Sequence, residues 1–133
     1  MDGNRMQERR KEPRKNLMAY TQVFDLYGGY LIGYLGDLTL TGAMVISDKT
    51  MEENIVLTIA IELPDLPDVD VARLALVARV VWYQQDLSPE YFNVGFEFNN
   101  VTPEQKMVIQ AIIDNYEFRR DIPNYPIKPS PAK

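Results

Sequence analysis

Phe92-Asn93-Val94-Gly95-Phe96-Glu97-Phe98-Asn99-Asn100-Val101-Thr102-Pro103-Glu104-Gln105 decides the fold, because the hydrophobic period changes inside it. Up to Phe98 every second residue is apolar: Phe92, Val94, Phe96 and Phe98 stand against Asn93, Gly95 and Glu97. That alternation reads as a half-buried strand over 91–98. Beyond Thr102 the spacing is helical, with Val108, Ile109, Ile112, Ile113 and Tyr116 on one face through about Arg119. Thr102 can cap the helix, Pro103 suits its first position, and Gln105 completes a capping box.

Upstream of this switch the chain reads as strands. Over 54–63, Ile55, Leu57, Ile59, Ile61 and Leu63 share one face, with Val56, Thr58, Ala60 and Glu62 on the other. Residues 71–85 form a long strand in which Leu74, Leu76, Ala78, Val80 and Trp82 share a parity, and Arg73 and Arg79 take the solvated side. Parity places Trp82 in the core; a bulge between Ala78 and Trp82 would turn it outward, where it could stack on a base. Residues 17–27 read as a strand, Gly28-Gly29 as a hairpin turn, and 30–39 as a second strand that Gly33 and Gly36 bend or bulge. Gly42 opens a third strand over 43–47. Six strands and one late helix predict a mainly β fold, a six-stranded antiparallel β-barrel with a C-terminal α-helix over one opening. Closure removes the exposed edges such strands would otherwise present.

Composition narrows the chemistry. The chain has 133 residues, 46% of them apolar and 25% charged, which suits one globular domain. It contains no cysteine and no histidine, so thiolate chemistry, the usual general base and the commonest zinc ligand are missing. Asp65, Asp68 and Asp70 lack the central glycine and downstream carboxylate of a calcium loop. The glycines from Gly28 to Gly36 have no βαβ unit around them and make no dinucleotide fingerprint. Neither catalysis nor a metal site is expected. No apolar run approaches ~18–20 residues, and the charged N-terminus lacks an apolar signal region. The expectation is a cytoplasmic protein without membrane insertion.

Charge is divided unevenly. Residues 1–16 hold six basic residues against three acids, and the rest of the chain holds eight against 16. Those residues lack hydrophobic periodicity and read as a flexible basic arm, followed by a folded unit over 17–119 and a Pro-rich tail over 120–133. A sequence pI near 4.7 argues against duplex DNA as a partner. The arm contains Arg10-x-x-x-Arg14, and guanidinium forks grip phosphates and purine edges.

The second polar group is Asp37-x-Thr39-x-x-Gly42, on a strand entering a turn. If Leu38 and Leu40 point inward, Asp37 and Thr39 point outward. An ionised carboxylate only accepts hydrogen bonds, and guanine offers two adjacent N–H donors on its pairing edge. Guanine O6 and N7 suit an arginine fork. Gly42 lets a ligand or a backbone come close. A guanine nucleotide with exposed phosphates would use every polar group of the set.

Arg10-x-x-x-Arg14, then Asp37-x-Thr39-x-x-Gly42, then Val94-Gly95-Phe96-Glu97-Phe98 before a terminal helix resembles the PilZ domain, over roughly residues 8–118. That resemblance implies a six-stranded barrel and a bacterial receptor for the second messenger cyclic di-GMP. By the same resemblance, Arg10 and Arg14 grip phosphate and guanine, Asp37 reads a guanine edge, Thr39 takes the position of the family's usual serine, and Gly42 is the close-approach position. Arg9, just before the first motif arginine, implies contact with a second, stacked guanine. Thr39 departs from the pattern by one methyl, which stiffens its side chain but keeps the hydroxyl. The expected protein is a stand-alone, non-catalytic receptor whose arm orders on the ligand and signals to a separate protein effector. The sequence also admits a PilZ-like adaptor of pilus or flagellar machinery that binds no nucleotide, and a weak single-stranded nucleic-acid binder.

Overall fold

The computed structural model describes residues 16–18 and 20–118. Its elements are β1 (Asn16–Met18), β2 (Gln22–Asp25), β3 (Leu31–Leu38), β4 (Gly42–Ser47), β5 (Val56–Glu62), β6 (Arg73–Gln85), β7 (Phe92–Phe98), α1 (Pro103–Asn115) and β8 (Tyr116–Phe118). Six strands close into a barrel in the order β2-β3-β4-β7-β6-β5, and every pairing in it is antiparallel. The expected architecture is therefore the observed one.

Alternation explains the core. Val23, Val45, Ile59, Ile61, Leu76, Val80 and Val94 are completely or almost completely buried in a single cluster. Each such side chain contributes ~1.5–3 kcal/mol of burial before entropy is counted. At the first hairpin, Asp25 Oδ1 accepts from the N–H groups of Tyr27 and Gly28, and Gly29 supplies the positive φ of +76° that the turn requires.

The helix starts as its sequence predicts. Gln105 N–H donates to Thr102 Oγ1 at 3.1 Å, and Thr102 N–H donates back to Gln105 Oε1 at 2.8 Å. Gln105 Nε2 also donates to the Ala75 carbonyl near the start of β6, at 2.8 Å, docking the helix on the barrel. Ile109 and Ile112 are fully buried and join the barrel's core cluster. The β3–β4 turn, the β5–β6 loop and the exit from β7 lie at one end of the antiparallel barrel, and α1 sits at that end.

Two boundaries differ from expectation. The helix stops at Asn115 and not near Arg119, because Tyr116 is extended (φ −136°, ψ 148°). Tyr116 falls at helical spacing from Ile112 and Ile113, so the apolar face reads on past the true end. The strand expected over 17–27 is broken at Tyr20, whose φ is +65°. Its first part, β1, leaves the barrel and pairs in parallel with β8, Leu17 opposite Glu117 and Met18 opposite Phe118. Of the arm assigned to residues 1–16, Asn16 belongs to β1, and residues 1–15 lie outside the described residues, as does the tail over 120–133.

Candidate ligand-binding face of the barrel

Asp37 faces outward because of a bulge. Leu35 pairs with Val45 and lies in the core, so strict alternation would turn Asp37 inward as well. The register shifts between Leu35 and Asp37, which leaves Gly36 as the extra residue. After the shift Asp37 stands opposite Met44, outside, and Leu38 opposite Ala43, inside. Asp37 Oδ1 accepts from the Leu38 N–H at 2.9 Å, which fixes the carboxylate against the strand.

The turn beyond it is held by Thr39. Its Oγ1 accepts from the N–H groups of Thr41 at 3.2 Å and Gly42 at 3.1 Å, and Thr39 N–H donates to the Gly42 carbonyl at 2.8 Å. A hydroxyl closing its own turn in this way is a Ser/Thr turn, and either residue can form one. Leu40 does not join Leu38 inside; it sits at the exposed turn tip. Gly42 has a backbone reason to be glycine: a Cβ there would stand 2.4 Å from the Phe96 carbonyl oxygen.

Trp82 corrects the parity reading. The register of β6 on β7 shifts between Val80 and Trp82, so Val81 is the extra residue and Trp82 moves to the outer face opposite Gly95. The residue is 41% exposed, where a core position was expected. The indole lies over Gly95, so closely that a Cβ on Gly95 would be 2.2 Å from its Cε2. Gly95 is thus the notch in which the tryptophan rests.

The pairings align these residues into one outward row across four strands: Asp37 on β3, Met44 on β4, Gly95 on β7 and Trp82 on β6. At ~4.8 Å per strand the backbone ends of this row are about 14 Å apart, and the tryptophan leans back along it. Both ends face outward only because each strand carries a bulge. On one side runs a polar row in which Gly42 pairs with Glu97 and Glu97 with Arg79; Arg79 bonds Glu97 at 2.6 Å and Asn54 Oδ1 at 2.8 Å. On the other side Tyr34, Ile46 and Tyr91 form a second cluster on the outer face, with Tyr20 edge-on to Tyr34 at 6.3 Å. Ile46 is only 3% exposed there, so this flank is a packed surface. Burial raises the Tyr91 phenol above its ordinary value, and the carboxylates of Glu90 and Asp48 together with Tyr34 add to it, so the hydroxyl stays protonated at neutral pH.

The structure thus brings Asp37, Thr39 and Gly42 together at one turn and adds Trp82, which parity had hidden. Arg9, Arg10 and Arg14 lie outside the described residues. Among the described residues no group of three metal-ligating side chains occurs, and no helix is long and apolar enough to cross a membrane.

Comparison with known proteins gives two matches. The family model described as PilZ domain matches residues 8–115. Among solved structures, the PilZ domain with c-di-GMP of YcgR from Escherichia coli aligns with a TM-score of 0.55 at 17% identity, covering 77% of this chain and 88% of that one. That likeness is one of fold. The comparison with curated proteins returned no match.

Proposed function

The chain belongs to the PilZ domain family, and from that premise we propose that it is a non-catalytic cyclic di-GMP receptor. The observation that carries the proposal is the outward row from Asp37 to Trp82. Asp37 offers a carboxylate to the two N–H donors of a guanine edge. Trp82 offers an exposed aromatic face, and stacking a base on such a face is worth ~1–3 kcal/mol. Gly95 lets the indole lie low on the sheet, and Met44 stands between it and Asp37 on the row. Thr39 and Gly42 hold the turn that presents Asp37, and in this reading they line the ligand's edge and shape it more than they grip it.

Arg10 and Arg14 supply the phosphate contacts, and Arg9 contacts a second guanine. Arg14 stands just before Asn16, where β1 begins beside β8, so a ligand drawing the arginines onto its phosphates also acts on the β1–β8 ribbon next to α1. A separate partner protein then reads the altered surface. The proposed setting is the bacterial cytoplasm.

The test is calorimetric titration with cyclic di-GMP, with GTP and GMP as controls. Saturable binding at micromolar or tighter affinity, absent for the controls, is the expected result. The stoichiometry tests Arg9: two ligands per chain are expected if it holds a second guanine. No heat from folded protein overturns the receptor reading in favour of a nucleotide-independent adaptor.

A further inference from the structure

The face of α1 turned to the β5–β6 loop bounds a cleft that the ligand site does not use. Its volume is about 280 Å³. That is just below the ~300–1,000 Å³ of small-molecule pockets, a size for one or two side chains and not for a cofactor. The floor is apolar: Val69, Val108 and Ala111 pack against the core. At its mouth stand Met107, 71% exposed, and Val71, 55% exposed. Exposed apolar residues of this size are ordinary when scattered, but here two flank one opening.

Among the described residues the rim has a single sign: Asp68, Asp70 and Glu104 line it, and no described lysine or arginine does. Glu104 alone is accounted for by the positive end of the helix, where a carboxylate is favoured. Asp68 also suits its own backbone, whose φ of +62° is one that aspartate tolerates, whereas Asp70 lies on the loop with neither explanation. The acidic excess of residues 17–133 sets a field that favours a basic partner over an acidic one.

We infer that this cleft docks a short basic amphipathic segment of a partner protein. One leucine- or methionine-sized side chain enters between Met107 and Val71, where the flexible thioether adapts to its shape. Flanking lysines or arginines meet Asp68, Asp70 and Glu104. The cleft is at the α1 end of the barrel, as is the turn that carries Thr39. The inference does not depend on what the outward row binds, and the two fail separately.

The probe is a fluorescein-labelled synthetic peptide alternating leucine and arginine, followed by anisotropy, with a leucine–glutamate peptide as its counterpart. Saturable binding of the first only, weakening with added salt, is expected. M107E, and separately the triple variant D68N/D70N/E104Q, each lower that affinity roughly tenfold. All four positions are exposed, and circular dichroism verifies that the variants fold. Absence of saturable binding, or equal affinity in the wild type and both variants, overturns the inference. Tighter binding of a peptide copying residues 1–16 overturns it too, by making this chain's own basic segment the occupant.

Discussion

Gly42 and Gly95 sit on adjoining strands of the same outer face, and each is glycine for a different reason. At Gly42 the space of the missing side chain is taken by a backbone atom, the Phe96 carbonyl oxygen. At Gly95 it is taken by the Trp82 indole, a partly exposed side chain. Backbone can yield only by disturbing the β4–β7 ladder, whereas an exposed indole can swing into solvent. The first region therefore belongs to the fold and the second to the face the fold displays.

The largest effect that would test this contrast is in stability. Gly42→Ala should cost about 3 kcal/mol in urea unfolding, since the new methyl group meets a fixed oxygen. A loss below about 0.5 kcal/mol would show that the ladder relaxes and would erase the distinction. Next comes Asp37→Ala, which should leave unfolding nearly unchanged and weaken cyclic di-GMP binding by about 30-fold, the ~2 kcal/mol of a hydrogen bond to a charged group. Equal affinity in calorimetry would remove Asp37 from the site. Trp82→Ala should weaken binding about tenfold, within the range for one stacked base. Gly95→Ala should mimic it by displacing the indole, with a red-shifted tryptophan fluorescence as the sign of displacement. If Gly95→Ala instead unfolds the protein as readily as Gly42→Ala, the two glycines are of one kind. The smallest effect is expected for Thr39→Ser, within about 0.5 kcal/mol in stability, because the hydroxyl that closes the turn is kept.

Much of this was legible in the sequence, because regular alternation and a capping box carry their own structural meaning. The six barrel strands, the helix start at Thr102 and the outward position of Asp37 all follow from local patterns. Trp82 was misplaced because alternation carries no mark of a bulge where the inserted residue, Val81, is itself a strand former. Gly36 is the opposite case, since a glycine within a strand announces the irregularity. The β1–β8 ribbon was missed because three residues are too few to show a period. The purpose of Gly42 was only half visible: sequence calls for a close approach but cannot say that the approaching group is Phe96 O.

The β1–β8 ribbon has a mechanical consequence. Its strands run parallel, so the described chain enters at Asn16, at one end of the ribbon, and leaves after Phe118, at the other. A pull between those two points loads the ribbon's slanted hydrogen bonds together in shear, where an antiparallel pair drawn from its adjacent ends would unzip one bond at a time. The ribbon closes the loop that contains the entire barrel and helix. It therefore works as a clasp, and tension applied along the chain must break it as a unit before the load reaches the barrel.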